Sequence, residues 1–231
     1  MEEKRIEEMD VVFLMDRFGY AKTVDVSVYE RNKEAADTEN RYILTCKNTD
    51  KICIFTIKGQ MHLLKVLDLP YGKFRDKGIP IDNLSNYNSS EENFIYIINL
   101  GAIIHSRLLF GTKTAMLKMV DGSEFDVAKR TTAATKLNED DELLIVHAMT
   151  GEETVVMQSE KEMFLRIEAS TIPEKKKGAV GVRGMKLNAG DALSNIYVLD
   201  GESEQTVEVK GKEVVLNRLR VGNRDTKGTK R

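Results

Sequence analysis

Residues 51–66 read KICIFTIKGQMHLLKV, and this stretch decides the fold. Two short apolar runs, KICIFT at 51–56 and QMHLLKV at 60–66, flank a turn that contains Lys58 and Gly59. Short runs of large and β-branched side chains on either side of a glycine turn are typical of β-hairpins. The stretch is therefore predicted to be a β-hairpin whose second strand carries a basic residue.

The same arrangement recurs at intervals of about 40–55 residues, the range of propeller blades. The other four hairpins are predicted near 11–24, 107–120, 154–167 and 206–219. A further apolar run precedes each hairpin after the first, at Tyr42–Thr45, Phe94–Leu100, Leu143–Val146 and Ile196–Leu199. The sequence thus predicts an all-β fold of about five propeller-like blades, each built from strand, turn, strand, tight turn and strand.

A short basic stretch follows each of the last four hairpins. These stretches are FRDKG at 74–78, AKRTTA at 128–133, EKKKGAVGVRG at 174–184 and NRDTKG at 223–228. Because they occupy the same place in each repeat, a ring of blades would carry all four on one rim. One lysine-rich loop is ordinary solvated surface, whereas four in register predict a stripe of positive charge.

The overall charge hides this pattern. The chain has 231 residues, of which 41% are apolar and 31% charged, and its formal net charge is −2. Residues 1–10 carry five acids and two bases, residues 173–187 carry five bases and one acid, and residues 216–231 carry six bases and one acid. Clusters of one sign set a local field whatever the total charge is, so a polyanionic partner stays compatible with the composition.

Several other classes of function are disfavoured. No apolar run approaches the length of a bilayer, and the first ten residues lack the apolar core of a signal peptide, so a cytoplasmic protein without a membrane partner is expected. Cys46 and Cys53 are predicted to be buried, reduced thiols, because only His62 lies near them and zinc needs about four ligands. The acidic run at 139–142 is interpreted as a solvated turn, and the histidines as packing or surface residues. No metal or other cofactor is expected.

The repeats resemble the C-terminal domain of the A subunits of bacterial type IIA DNA topoisomerases, namely DNA gyrase and topoisomerase IV. The similar segments are DVVFLMDRFGYAKTV at 10–24, ICIFTIKGQMHLLKVLDLP at 52–70, RDKGIPIDNL at 75–84, KKKGAVGVRGMKLNAGDAL at 175–193 and RDTKGTK at 224–230. The resemblance covers nearly the whole chain in the same repeat order. It implies a single domain over residues 1–231 with the β-pinwheel fold, a propeller-like disc of about five four-stranded blades that exchange strands with their neighbours.

Two stretches depart from the gyrase pattern. Gyrase carries a seven-residue box, typically Gln-Arg-Arg-Gly-Gly-Lys-Gly, soon after its first hairpin, whereas residues 30–41 here read ERNKEAADTENR and contain no glycine. A loop rich in glycine and arginine can bring its backbone close to phosphates, and this one cannot. The resemblance therefore points away from a wrapping gyrase and toward topoisomerase IV or a gyrase-like paralogue, and residues 27–41 are predicted to form a polar loop. The fifth repeat, TVEVKGKEVVL at 206–216, has no aromatic residue, so the ring is predicted to be incomplete or open there.

The resemblance implies a domain that binds and bends duplex DNA without sequence preference and orients it for strand passage. The family cuts DNA with a tyrosine that follows an Arg-Ala pair, and none of the seven tyrosines here has that context, so this segment is not expected to catalyse anything. The implied partners are double-stranded DNA, the rest of the A subunit and, through it, the ATPase B subunit. The residues predicted to contact phosphates are Arg75, Lys77, Lys129, Arg130, Lys175, Lys176, Lys177, Arg183, Lys186, Arg224 and Lys227.

Two alternatives belong to other classes. The first is a propeller that serves as a protein-interaction scaffold, whose basic loops only keep it in solution. The second is an enzyme with its site at the propeller centre, which is disfavoured because no acid and base cluster recurs in the repeats. Base stacking is not expected as the main mode of binding, because the chain has no tryptophan and only 6% aromatic residues.

Overall fold

The computed structural model describes residues 5–231 and contains eighteen strands and four short α-helices in that range. The strands are β1 (Asp10–Met15), β2 (Tyr20–Asp25), β3 (Tyr42–Lys47), β4 (Lys51–Thr56), β5 (Gln60–Lys65), β6 (Ile79–Pro80), β7 (Phe94–Asn99), β8 (Arg107–Thr112), β9 (Met116–Asp121), β10 (Thr131–Ala133), β11 (Leu143–Met149), β12 (Thr154–Ser159), β13 (Met163–Glu168), β14 (Val182–Arg183), β15 (Leu193–Leu199), β16 (Thr206–Val209), β17 (Lys212–Val215) and β18 (Thr229–Lys230). The helices are α1 (Val26–Arg31), α2 (Lys33–Glu39), α3 (Ile81–Leu84) and α4 (Leu100–Ile103). Short 3-10 turns follow the last four hairpins, at Val66–Asp68, Gly122–Phe125, Ala169–Thr171 and Leu216–Arg218.

The strands form four sheets of four strands and one sheet of two. Blade 1 has the order β3-β1-β2-β6, blade 2 β7-β4-β5-β10, blade 3 β11-β8-β9-β14 and blade 4 β15-β12-β13-β18, while blade 5 is the hairpin β16-β17. All five predicted hairpins are present. The prediction of an all-β pinwheel of about five blades is confirmed, with the fifth blade reduced to two strands.

Each four-stranded blade receives its outermost strand from the next repeat. Strand β6 follows the hairpin of blade 2 but pairs with β2 of blade 1, where Ile79 lies opposite Ala21. Strands β10, β14 and β18 are donated to blades 2, 3 and 4 in the same way. Strand β3 precedes β4 in the chain yet pairs with β1. The blades are therefore shifted by one strand relative to the repeat unit read from the sequence, because the order of apolar runs does not reveal which runs pair.

Apolar clusters between consecutive blades form the core. In β4, Ile52 and Ile54 belong to the cluster shared with blade 1, whereas Cys53 and Phe55 belong to the cluster shared with blade 3. A strand that is buried on both faces needs a continuous apolar run rather than an alternating one. Strand β16 joins one cluster only, toward blade 4, and of its residues only Val209 is buried. The alternating sequence TVEV follows from that single covered face.

Residues 27–41 do not form the predicted polar loop, because most of them belong to α1 and α2. Ala36 of α2 packs against Val12, Leu14 and Val24, on the face of blade 1 that points away from blade 2. The prediction was wrong because the helices bury few apolar side chains of their own, and blade 1 supplies the rest of the contact. Among residues 5–231, no hydrogen bond, ion pair or apolar cluster joins blade 5 to blade 1, so the disc has an open seam between them.

Neither cysteine lies in a disulfide. Cys46 and Cys53 are both buried, as predicted, and burial raises the pKa of both thiols, that of Cys46 to about 12. A thiol with a raised pKa is a poor nucleophile and a poor metal ligand at neutral pH. Within the range that the structure describes, we found no helix with the length and apolar character needed to cross a bilayer.

Candidate nucleic-acid interface

The four basic stretches lie on the outer rim of the disc. Strands β3, β7, β11 and β15 each contact the corresponding strand of a neighbouring blade, so they line the centre. The donated strands β6, β10, β14 and β18 form the opposite edge of each sheet, and the basic stretches lead into them. We define rim loops 1 to 4 as the segments around these stretches, at residues 70–80, 128–133, 173–183 and 220–230.

Rim loops 1 and 3 have the same length and the same attachment at their start. The amide of Thr23 donates to the carbonyl oxygen of Pro70 at 2.8 Å, and the amide of Met119 donates to that of Pro173 at 2.9 Å. Rim loop 4 begins with the equivalent contact, in which Val221 forms a bridge with β13. Three rim loops therefore follow one path over the edge of their blades.

Each long rim loop has a glycine two residues before its last residue, where its backbone lies directly against the backbone of the second hairpin strand. A Cβ atom at Gly78 would approach the carbonyl oxygen of Ala21 to 2.7 Å, and one at Gly181 would approach that of Leu117 to 2.5 Å. A side chain at either position would displace the donated strand. Rim loop 2 is shorter and does not extend over the edge of its blade. The amide of Leu63 donates to the carbonyl oxygen of Arg130, and the next residue, Thr131, already pairs with β5.

Seven of the eleven predicted phosphate contacts have charged groups with no hydrogen bond or ion pair to any described residue. They are Arg75, Lys77, Lys129, Lys175, Lys176, Lys186 and Lys227. All of them are exposed except Lys175, which is half-buried. Their positive charge is therefore free to meet an anion from solvent.

Arg130 and Lys177 already have partners within the fold. The guanidinium of Arg130 donates to the carbonyl oxygen of Leu84 at 2.8 Å. The ammonium group of Lys177 donates to the carbonyl oxygen of Glu124 at 3.1 Å, while the backbone amide of Lys177 donates to the carboxylate of the same glutamate. A phosphate contact from either side chain would require these bonds to be shared or broken.

Arg183 and Arg224 connect rim loops 3 and 4. Nε of Arg183 lies 2.5 Å from the carboxylate of Asp225, and this hydrogen bond holds the pKa of Asp225 below its usual range. Arg224 donates to the carbonyl oxygens of Arg183 and Thr171, at 3.0 and 3.2 Å. The amide of Lys186 donates to the carbonyl oxygen of Thr226 in rim loop 4. Three predicted site residues are thus brought to one junction, namely Arg183, Lys186 and Arg224, and Lys227 follows Thr226 in the chain.

Further bases on the rim were not predicted. Arg220 and Arg231 join Lys227 around an open cavity of about 360 Å³ between β13 and rim loop 4. A smaller cavity of about 150 Å³ is lined by Lys51, Lys65, Lys129 and Arg130 at rim loop 2. Lys51 and Lys65 stand far before that loop in the sequence, and only the strand exchange brings them beside its bases.

Two basic residues in the second strands of the hairpins are turned inward. Lys118 is 1% exposed, and His62 is 4% exposed. His62 lies between the carboxylate of Glu92, at 2.6 Å, and the hydroxyl of Thr131, at 2.9 Å. The sequence showed these bases but not their direction, although the apolar neighbours of Lys118 in AMLKMV were a sign of burial.

Other polar groups that the sequence draws attention to have structural partners. Asp141, in the acidic run, is buried and accepts hydrogen bonds from the amide and hydroxyl of Thr114, while Glu139 is exposed. His147 is exposed and stacks on Tyr96. Between residues 5 and 231, no three His, Cys, Asp or Glu side chains are grouped as a metal site would need.

Comparison with known proteins agrees with this architecture. The chain matches the family described as the DNA gyrase C-terminal domain, a β-propeller, over residues 106–148 and 153–200, which contain strands β8 to β15. The gyrase A subunit of Staphylococcus epidermidis is 29% identical over an alignment that is 247 residues long and covers 99% of this chain and 28% of that subunit. The chain thus spans less than a third of the length of the curated relatives it matches.

Solved structures share the fold. The C-terminal domain of a DNA topoisomerase IV superposes with a TM-score of 0.84 at 21% identity, over 97% of this chain and 73% of that one. A DNA gyrase A C-terminal domain superposes with a TM-score of 0.62 at 17% identity, over 96% and 76% of the two chains.

The strand exchange and the rim loops define a β-pinwheel domain. In sequence the chain is similar to the C-terminal domain of DNA gyrase A subunits, and in fold it is similar to the C-terminal domains of DNA topoisomerase IV and DNA gyrase A. The resemblance stated from the repeats is thereby confirmed.

Proposed function

We propose that this domain binds duplex DNA along its outer rim without sequence preference and bends it. The observation that carries the proposal is the regular placement of rim loops 1 to 4 at the outer edge of four consecutive blades. Seven exposed or half-exposed bases on or beside these loops have no partner among the described residues, and DNA phosphates would give them one. A curved rim that neutralises several phosphates can offset a bending cost on the order of 1–6 kcal/mol.

The resemblance to topoisomerase A subunits supports a proposal for the wider role. The domain would hold or orient a DNA segment for an ATP-dependent type II topoisomerase in the cytoplasm, during supercoiling, relaxation or decatenation. The catalytic tyrosine would lie in another part of the A subunit, and the ATPase would be the B subunit. No cofactor would be needed by this domain itself.

A salt titration tests the binding mode. Affinity for a duplex of about 30 base pairs, measured by fluorescence anisotropy, should be nearly independent of sequence and fall by powers of ten between about 50 and 200 mM salt. Retention on heparin at low salt offers a quick first check. A flat salt response, or no retention, would favour the protein-interaction scaffold instead.

Alanine substitutions on rim loop 3 test the site. Changing Lys175 and Lys176 together to Ala should weaken binding to all duplexes alike and reduce the salt slope by up to about two units, one for each lysine that no longer neutralises a phosphate. Lys177 is excluded because its ammonium group is already bound to Glu124. The control is Glu139→Ala, an exposed position outside the four rim loops, which should leave affinity unchanged or slightly higher.

The segment at residues 30–41 bears on DNA wrapping. It contains no glycine, and most of it is taken up by α1 and α2, so it offers no flexible basic loop to phosphates. We therefore expect the domain to bend DNA without strong chiral wrapping, in line with its resemblance to topoisomerase IV. A nicked plasmid that is religated with the domain present should show little change in linking number, and a large shift of one sign would contradict this.

A further inference from the structure

Lys118 on β9 is a buried lysine whose ammonium group lies against the inner side of rim loop 3. Its Nζ donates to the carbonyl oxygens of Lys176 at 3.0 Å, Lys177 at 3.1 Å and Ala179 at 2.6 Å. An ammonium group has three donors, and here all three are used within the protein. Lys118 is therefore not available to a phosphate.

Three carbonyl groups of rim loop 3 converge on that single point. Buried carbonyl groups need donors, and a segment outside any regular sheet cannot obtain them from a neighbouring strand. The ammonium group of Lys118 donates to all three, of which the Lys176 carbonyl also accepts the amide of Ala179, and it fixes the curve of residues 176–179. On this curve the side chain of Lys176 is exposed and without a protein partner, while that of Lys175 is half-exposed.

Lys22 on β2 makes the same contact beneath rim loop 1. Its Nζ donates to the carbonyl oxygens of Phe74 at 2.5 Å and Asp76 at 2.9 Å. Phe74 and Asp76 lie four and two residues before Gly78, just as Lys177 and Ala179 lie four and two residues before Gly181. Each lysine is also the third residue of the second strand of its hairpin. The same device thus occurs in two blades.

The other two blades show when the device is absent. In blade 2 the third residue of β5 is His62, and rim loop 2 is too short to need support from beneath. In blade 4 the third residue of β13 is Leu165, which has no donor, and the open cavity of about 360 Å³ lies at that place. An inward lysine accompanies rim loops 1 and 3, whereas rim loop 4 is tied instead to rim loop 3 through Arg183 and Arg224.

We propose that Lys118 and Lys22 are positioning residues for DNA binding, each holding its rim loop in the curve that presents the loop's exposed bases to phosphates. This inference rests on the proposed function. Neither lysine would touch DNA. The positive charge that matters for affinity would be that of the loop side chains, whereas the inward lysines would set where those side chains stand.

A double-mutant cycle separates positioning from a general loss of stability. Lys118→Met keeps the length of the side chain and removes its donors, and it should weaken duplex binding about tenfold at about 100 mM salt. In a Lys175→Ala and Lys176→Ala background the same substitution should cost little more, because the side chains that it positions are already absent. Decreases in affinity that simply add would overturn the positioning role. The charge-matched control is Lys212→Met, an exposed lysine of blade 5, which should change affinity less than twofold.

A pH profile gives an independent readout. Burial lowers the pKa of Lys118 to about 8, with Glu124 opposing the shift and Lys175 adding to it. Between about pH 7 and pH 9 the ammonium group becomes an amine with two donors for three carbonyl groups, so affinity should decline in this range. Exposed lysines ordinarily titrate above about pH 10 and would not produce that decline. The Lys118→Met variant should lack it, and an identical profile in both proteins would overturn the inference.

Lys22→Met is the second variant, to be used if Lys118→Met does not fold. Lys22 is only half-buried, and its cycle is run with Arg75→Ala and Lys77→Ala on rim loop 1. A parent domain that does not bind DNA overturns the proposed function and this inference together. A parent that binds, with both methionine variants binding equally well, overturns the positioning role alone.

Discussion

Blades 1 and 5 lie on either side of the open seam, and they differ in how they treat the face that has no neighbouring blade. Blade 1 has four strands, and the face it turns away from blade 2 is covered by α1 and α2. Blade 5 has two strands, packs on blade 4 alone and leaves most of β16 and β17 exposed or half-exposed. A propeller blade without a neighbour thus needs either a separate cover or a polar second face, and this domain uses both solutions.

The difference can be read in the strands themselves. Strand β1 has the burial of an interior strand, with Val11 through Met15 all buried, because helices replace the missing neighbour. Strand β16 alternates, with Glu208 exposed beside the buried Val209. The length of the apolar run therefore reports how many faces are covered, whatever covers them.

The largest effect should come from the covered face of blade 1. Leu14 is fully buried against the α1 and α2 cluster, so Leu14→Ala should lower the free energy of unfolding by about 2–5 kcal/mol. Val207→Ala in blade 5 removes two methyl groups from a half-buried side chain and should cost less than about 1 kcal/mol. Urea unfolding followed by circular dichroism measures both, and equal decreases would contradict the contrast between the two ends.

The helical cover can be tested from its own side. Ala36 is fully buried on α2, so Ala36→Asp would place a carboxylate in the apolar cluster and should cost up to about 3 kcal/mol. Ala35 is exposed on the same helix, and Ala35→Asp should stay within about 0.5 kcal/mol of the parent. Thermal unfolding of the pair decides the matter. If the two variants have the same stability, α2 does not seal blade 1.

A smaller, pH-dependent effect should distinguish an inner blade from blade 5. Glu153 and Gln205 stand just before the first strands of blades 4 and 5, and the carbonyl oxygen of each accepts an amide after its hairpin. Burial disfavours the charged form of Glu153, but hydrogen bonds from Thr150 and Gly151 outweigh it and lower the pKa of the carboxyl.

Because its folded pKa is depressed, Glu153 contributes stability that is full above its unfolded value near pH 4.5 and is lost as pH falls through the folded value. Glu153→Gln should therefore cost about 1–2 kcal/mol at pH 7. The variant and the parent should converge in acid, as unfolding curves at several pH values would reveal. Gln205→Ala should show a decrease in stability that does not change with pH, since its amide does not titrate.

The smallest effect should come from the tether between rim loops 3 and 4. The pair of Arg183 and Asp225 is exposed on both sides, so Arg183→Ala should change the free energy of unfolding by less than about 1 kcal/mol, and by less still in high salt. The measurement is urea unfolding at two salt concentrations. A salt-independent decrease of several kcal/mol would mean that rim loop 4 depends on this tether far more than its exposure indicates.

Much of the fold could be predicted because each interior blade repeats one local signal. A short apolar run, a turn and a second run indicated all five hairpins, although the run of the fifth alternates, and the basic stretches indicated the rim. Pairing between repeats could not be predicted, since Ile79 and Pro80 carry no mark that sends them to blade 1. The sequence also could not show which lysines point inward. Lys118 and Lys176 are the same residue type, and only the packing of β9 turns Lys118 inward.

Strand exchange also fixes an order of events during synthesis. Blade 1 stays three-stranded until Ile79 and Pro80 have been made, which happens only after the whole hairpin of blade 2, and the same delay is passed on to blades 2, 3 and 4. The outer edge of a blade therefore stays unpaired while the hairpin of the next blade is completed, and an unpaired edge is where misassembly begins. A chain that grows on the ribosome would expose one or two such edges at a time, and their position would advance along the disc as each donated strand is made.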